Sequence, residues 1–557
     1  MTKARLNASK LSDSLNDTAY GTNALIADTT GTANTAVGYN ALANNTTGQL
    51  NSAFGSSALN ANTTGVQNTA VGNSAMLVNT TGSYNTAVGQ GSLSGNTIGS
   101  QNAAFGYGAL GSNTTGIQNT AIGTSSMNAN TIGQNNVAVG QQSLSLNTTG
   151  NNNVAVGIYS LLSNTTGINN TAVGSATLQN NTIGTENVAI GLNALYANTT
   201  GVSNTAVGVR ALASSVTANG CIAIGVDTLG LNIANDNLAI GDATLYANTT
   251  GVRNTGIGVG TWGGDYAALR FNTTGNDNTA VGNRTMAYNT YGSQNTAVGS
   301  GAMRLNTTGS WNVAMGWDAL GANTTGVLNV AIGSEWTSSA GATLGLNTTG
   351  SYNTAVGAGA LYSNVSGTTN VAVGMQAGYA TTGVGNTLIG TYSGYSGTNL
   401  TSGSNNTLLG YQASPSSGTI SNTITLGNSS IATLRCQVTS ITALSDQRDK
   451  KDIEDLPVGL DFINSLRPVK FTWNMRPTKD VEGNEVPGGK VGLPDSGFIA
   501  QELMAAEDEA GVADYLQLTY RDNPDALEAT AGRLIPVLVK AIQELSAEVK
   551  ALKAGGN

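Results

Sequence analysis

The chain has 557 residues, 74 of them glycine, with only 10% charged and 5% aromatic. Large apolar groups are too few to fill several globular cores and charges too few for ordinary disorder, which leaves a repeat fold. The formal net charge of −9 excludes an electrostatic nucleic-acid binder, and no run of about 18 apolar residues offers a membrane span.

Histidine is absent, which removes every His-dependent triad and every His-ligated metal site. No metal and no cofactor is expected. The two cysteines, Cys221 and Cys436, are too few for a disulfide framework and read as buried small hydrophobes.

Residues 1–15 read as a short N-terminal attachment peptide, without the apolar core of a secretory signal. From residue 16 to 430 one sentence repeats: N-T-A-V-G-x-x-A-L-x-x-N-T-T-G-x-x. Its anchor glycine recurs every 17 residues from Gly21 to Gly225, and 24 anchors can be followed to Gly427. Seventeen residues are too few for a strand–helix–strand unit of about 30 residues, but they suit one coil of a parallel β-roll or β-solenoid. Each coil is expected to hold two β-type pieces, NTAVG and the segment around ALxxN. Glycines ending NTAVG and NTTG would turn the chain through positive φ. Stacking at about 4.8 Å would align Val37, Val71 and Val88 in one apolar column and Leu42, Leu59 and Leu110 in another. Asn and Thr would form hydrogen-bonded ladders at the turns.

The segments ENVAIG, NNVAVG and LNVAIG resemble the head repeat of YadA-type trimeric adhesins, a parallel β-roll, although the period here is longer. That resemblance implies three rolls packed side by side. A monomeric solenoid is the alternative, but so thin a coil buries little core alone.

Four of the five tryptophans lie close together in the repeats. Trp262 and Trp336 fall in two seven-residue insertions, and Trp311 and Trp317 lie between them. Exposed rings on loops suit stacking on sugars, which makes these four the candidate receptor-contact residues. The plainer alternative is that they cap gaps over a thin core.

The character of the chain changes near residue 445. No lysine occurs between Lys10 and Lys450, and seven of the eight prolines lie at or beyond Pro457. Residues 431–444 read as a β linker and 445–557 as a separate α+β domain. Its opening S-D-Q-R-D-K, the strand LRPVKFTW and the segment GFIAQEL resemble the self-cleaving intramolecular chaperone of endosialidase-type phage tailspikes. The resemblance implies cleavage of the Leu444–Ser445 bond, with Ser445 as nucleophile and Lys450 as its base. The chemistry agrees: a serine hydroxyl needs a base, and without histidine a lysine is the natural candidate. A lysine base must be neutral, so burial or nearby positive charge has to bring it down from about 10.4. Arg448 and Lys451 flank it, and Asp446 could orient the site. Without the resemblance, the same residues read as an ordinary charged loop.

The C-terminus carries Ile535, Leu538, Ile542, Leu545, Val549 and Leu552 at alternating spacings of three and four, a coiled-coil pattern. β-branched residues at one core position with Leu at the other nominally favour dimers, whereas the resemblance implies a trimer. A helix packed on its own domain is the alternative.

Together the resemblances imply a virion fibre: a tail fibre, tailspike or other phage appendage, made in the host cytoplasm and involved in host attachment. The expected partners are two further copies in a homotrimer, a virion adaptor, baseplate or capsid protein, and a host cell-surface glycan or protein. No nucleic acid partner and no membrane insertion are expected. The one enzymatic activity implied is a single-turnover serine endopeptidase acting on the chain itself. A bacterial trimeric surface adhesin and an ice- or surface-binding β-solenoid are the competing readings.

Overall fold

The computed structural model describes residues 16–258, 266–334, 341–431, 434–435, 445–479, 485–486, 491–521 and 527–555. The chain divides into two compact units, residues 1–328 and 329–557.

In the first unit every coil contributes one three-residue strand, from β1 (Thr18–Tyr20) and β2 (Thr35–Val37) to β18 (Val313–Met315). Each strand pairs in parallel with the next, in register, so that Ala36 faces Ala53 and Ala53 faces Ala70. This is a parallel β-solenoid with a 17-residue repeat. The middle residue of each strand is buried, and it is alanine in all but the Thr255–Ile257 strand, which has Gly256. Alanine fits because the opposite wall is close. That wall is the column Leu42, Leu59, Met76, Leu93 and Leu110, also without solvent exposure. The valine column belongs elsewhere: Val71 is half-exposed, as are Phe54 and Phe105 at equivalent positions. The sequence reading placed these residues in an apolar column, and they form one, but on the outer face. Pleating requires it, since the neighbours of an inward alanine must face outward.

The expected second β-type piece around ALxxN is a turn. Asn40 and Leu42 both take positive φ, at 54° and 48°. A left-handed leucine costs about 1–2 kcal/mol, but full burial of its side chain returns about 1.5–3 kcal/mol. Its amide also reaches the Ala58 carbonyl one coil on, at 3.0 Å. The two glycines of the repeat differ as well. Gly123, ending its strand, has φ +129°, as expected. The NTTG glycine Gly65 is not among the positive-φ residues. It is needed for closeness, because a methyl group on NTTG Gly48 would stand 2.5 Å from the Gly65 carbonyl oxygen.

Two asparagine ladders fill the remaining interior. The Asn51 amide donates to Asn34 Oδ1 at 3.0 Å, and Asn51 Nδ2 donates to the Gly65 carbonyl at 2.8 Å. In the second ladder Asn62 Nδ2 donates to Asn45 Oδ1 at 2.8 Å and to that same Gly65 carbonyl at 3.1 Å. Buried amides are costly unless paired, and these four asparagines pair with the coil before or after. Threonines run outside them: Thr46 Oγ1 donates to the Thr63 carbonyl at 3.1 Å. Cys221 takes an asparagine's place in the first ladder and is buried, with its thiol pushed up by that burial. Cys436 lies outside the described residues.

The second unit holds parallel strands β19 (Val330–Ile332) to β24 (Ile424–Leu426), paired in register in the same way, with buried Leu388 and Leu408 at the middle of the fourth and fifth and Thr425 at the middle of the last. It also holds a small α+β region. There β25 (Val469–Thr472) pairs antiparallel with β28 (Pro494–Gly497), and two short pairs join β26 (Thr478–Lys479) to β27 (Glu485–Val486) and β29 (Thr519–Tyr520) to β30 (Glu528–Ala529). Helices α1 (Leu460–Ser465), α2 (Ala500–Ala510), α3 (Ala513–Leu516) and the terminal α4 (Leu534–Gly555) close on a core of Phe462, Leu503, Val512, Leu516, Leu518, Leu534 and Val537. Glu544 of α4 accepts the Leu460 amide at 2.6 Å, capping the start of α1. Buried Glu507 accepts from the Leu518 amide, and from Thr519 Oγ1 at 2.6 Å.

Candidate functional site

The opening S-D-Q-R-D-K forms a single 3₁₀ turn over Gln447–Asp449. Asp446 caps it: its Oδ1 accepts the Arg448 amide at 2.9 Å, the local bond that aspartate makes in turns. The same carboxylate takes the Arg448 guanidinium, with Nη2 at 2.6 Å from Oδ2. That guanidinium, and then the backbone amide, hold the Asp446 carboxyl below the usual carboxylate range. The turn closes where the Lys450 amide donates to the Gln447 carbonyl at 3.1 Å. Lys450 is thereby carried back over the start of the motif, and its Nζ donates to Ser445 Oγ at 2.7 Å.

Five residues of separation thus become one hydrogen bond. Lys451 takes no part in it and reaches Asp452 at 3.7 Å. The sequence reading had Arg448 and Lys451 as flanking charges that could help Lys450; in one chain the Arg448 guanidinium pairs with Asp446. Ser445, Arg448 and Lys450 are all exposed in the single chain. Leu444 lies outside the described residues.

Two further motif segments meet within this region. Arg467 of the LRPV stretch donates through Nε to Glu502 of GFIAQEL at 3.0 Å, while Val469 pairs with Gly497. Nothing in sequence spacing announced this pair, since 35 residues separate the two side chains.

On α4 the apolar residues divide between two faces. Leu534, Val537 and Ala541 are buried against the region's core. Ile535, Leu538, Ile542, Leu545, Val549 and Leu552 all lie exposed, Ile542 at 64% and Leu552 at 76%. The heptad stripe is therefore exposed among the described residues of one chain.

Trp311 and Trp317 are exposed on either side of β18. Trp262 and Trp336 lie outside the described residues. Among the described residues no cluster of acids and cysteines could hold a metal ion, and no helix is long and apolar enough to cross a membrane.

Residues 445–512 match the family model described as the chaperone of endosialidase. The match begins at Ser445 and ends before α3, so α4 lies beyond it. No curated protein and no solved structure matches this chain. A parallel β-solenoid with 17-residue coils, followed by a region of this family, fits a tailspike-type protein with a C-terminal chaperone.

Proposed function

We propose that this chain is the subunit of a homotrimeric virion fibre used in host attachment, and that residues 445–557 guide its assembly and then cut themselves off between Leu444 and Ser445. The observation that carries the cleavage is the 2.7 Å hydrogen bond from Lys450 Nζ to Ser445 Oγ, at the first residue of the family match and in a chain without histidine.

The chemistry runs as follows. Neutral Lys450 takes the hydroxyl proton as Ser445 Oγ attacks the Leu444 carbonyl carbon. The Leu444–Ser445 C–N bond breaks, an ester to Oγ forms, and the serine nitrogen takes the proton as a free amine. Water then hydrolyses the ester, leaving a Leu444 carboxylate and restoring the hydroxyl. The dyad is exposed in one chain, so covering it with neighbouring copies is the step that would remove it from water. Cleavage is thereby tied to assembly.

Such an arrangement answers a register problem. Near-identical coils let chains offset by one coil make almost the same contacts. A unique domain at one end fixes the alignment before the shaft zips up. The exposed stripe on α4 supports self-association there, and the outward Val, Ile and Phe column supports it along the solenoid. Trp311 and Trp317 are the described candidates for receptor contact, and a virion adaptor, baseplate or capsid protein would hold the fibre. The ice-binding reading has less support, because hydroxyls such as that of Thr46 are engaged with the next coil.

The test is expression of the whole chain followed by N-terminal sequencing and sedimentation. A fragment beginning at Ser445 beside a trimeric large fragment is expected. A different start, or a stable monomer, overturns the proposal.

A further inference from the structure

The solenoid has no lysine between Lys10 and Lys450, and its arginines cluster: Arg210, Arg253, Arg270, Arg284 and Arg304. They are not equivalent. Arg210 pairs with Asp227 one coil on at 2.6 Å, and Arg253 pairs with Asp277 at 2.7 Å. Arg270 and Arg284 have neither an ion pair nor a side-chain hydrogen bond among the described residues, and Arg270 Nε is buried without a partner. Their guanidiniums lie instead on aromatic rings. Arg270 is 5.4 Å from the centroids of both Tyr246 and Phe271, and Arg284 is 4.4 Å from that of Tyr266.

Repeat register places these two residues at neighbouring positions of adjacent coils. Arg270 and Arg284 stand fourteen residues apart in adjacent coils, the same relation as Arg304 and Asp318, which approach to 4.0 Å. Where Asp318 answers an arginine, a second arginine stands here. Arg284 and Arg304 stand twenty residues apart, the same relation as Gly108 and Asn128, whose side chain reaches the Gly108 carbonyl at 2.8 Å. The three arginine positions therefore follow one another on successive coils, with Asp318 paired to Arg304. Of the nearby carboxylates, Asp277 is held by Arg253, and Asp242 accepts the Val226 amide at 3.0 Å. Rings border the patch: Tyr288 is exposed and stacks on Phe271 at 5.2 Å, and Tyr266 is exposed as well.

We propose that this patch binds an acidic glycan, with Arg270 and Arg284 taking the sugar carboxylate or sulfate and Tyr266 and Tyr288 stacking on the sugar faces. Among the described residues neither guanidinium has a counter-charge, and an anion held by both would supply one. Guanidiniums present paired donors that match a carboxylate or sulfate. Exposed rings beside them favour an anion carried on a ring over a bare ion. On a chain of net charge −9, such a ligand is repelled generally, so its binding would be local. The inference deepens the attachment reading above and rests on it for biological meaning, but the binding is measured separately.

The test uses the full chain and oligosaccharides of galacturonate, hyaluronan and heparin, with maltoheptaose as the neutral probe, by calorimetry. At least one acidic oligosaccharide should bind, weakening as salt is raised, while maltoheptaose does not. Arg270→Gln with Arg284→Gln should lower affinity at least tenfold, as should Tyr288→Ala, and Arg210→Gln should not. Circular dichroism and melting check each fold, and Arg284→Lys, which keeps the charge, covers the case where the double variant misfolds. Binding of none of the acidic probes, equal binding of maltoheptaose, or full competition by equimolar inorganic phosphate overturns the inference. If the chain still adheres to host cells while binding no acidic probe, only this inference fails. If it binds them but adheres to no cell, only the attachment reading fails.

Discussion

Asn198 Oδ1 is buried without a hydrogen-bond partner because the residue one coil on is Ser215, too short to reach it. One coil earlier, Asn198 Nδ2 itself donates to Asn181 Oδ1 at 2.8 Å, as the ladder requires. Ser215 Oγ is buried and unpaired too. The same coil carries Cys221 in place of the other ladder's asparagine. Ser215→Asn is expected to close the gap and stabilise the solenoid by about 1–3 kcal/mol, the usual cost of a buried unpaired group. A raised urea midpoint would be the sign, and an unchanged one would mean that water already fills the gap.

The dyad geometry predicts a sharp pattern among cleavage variants. Ser445→Ala and Lys450→Ala should each leave a full-length assembled chain, because folding needs the region's shape and not its nucleophile. Lys451→Ala should still cut, since that side chain reaches Asp452 instead. Gel analysis of purified assemblies reads this directly. Cutting in Ser445→Ala would remove the serine from the mechanism. Mixing Ser445→Ala with Lys450→Ala chains then separates attack within one chain from attack across chains, since only a shared dyad restores cleavage.

The two faces of α4 should respond differently. Ile542→Asp with Leu545→Asp should abolish self-association at this end and leave the region's helical content intact, as both residues are exposed in one chain. Leu534→Ala, in the core, should cost about 2–5 kcal/mol of stability. Sedimentation and thermal melting distinguish the two. Trimers surviving the double substitution would leave the stripe without a role.

Asp446 gives the site an acid limit. Its folded carboxyl lies below the usual value because Arg448 and the capped amide favour the charged form. The cap therefore contributes fully above the unfolded value of about 3.9 and is lost only as pH falls through the lower folded value. In Ser445→Ala chains the Arg448 amide resonance should hold its folded position near pH 4.5 and move at lower pH. Asp446→Asn should remove that movement and slow cleavage in the wild-type background, because the turn carries Lys450 to Ser445. An identical acid titration in Asp446→Asn would refute the cap.

The repeat, its parallel stacking and the change of character near residue 445 are legible in sequence, because a period is a pattern along the chain and needs no distances. The S-D-Q-R-D-K motif is legible for a related reason: its contacts span five residues or fewer, so local turn chemistry nearly fixes them. Side-chain direction around the coil was less accessible. Leu42 and Val37 read alike as apolar columns, yet one is sealed and the other faces outward. Only the closed coil settles that, because a left-handed backbone at Leu42 aims the leucine inward and the pleat at Ala36 turns the valine out.

What the sequence by itself determined was the repeat, the local turn and the apolar stripe of α4. What the tertiary structure decided was which groups meet across coils and between elements: Arg284 over Tyr266, Asn198 left without a partner at Ser215, Arg467 on Glu502. Such meetings depend on register and stacking distance, and those are set by how the coils pack rather than by any single stretch of residues.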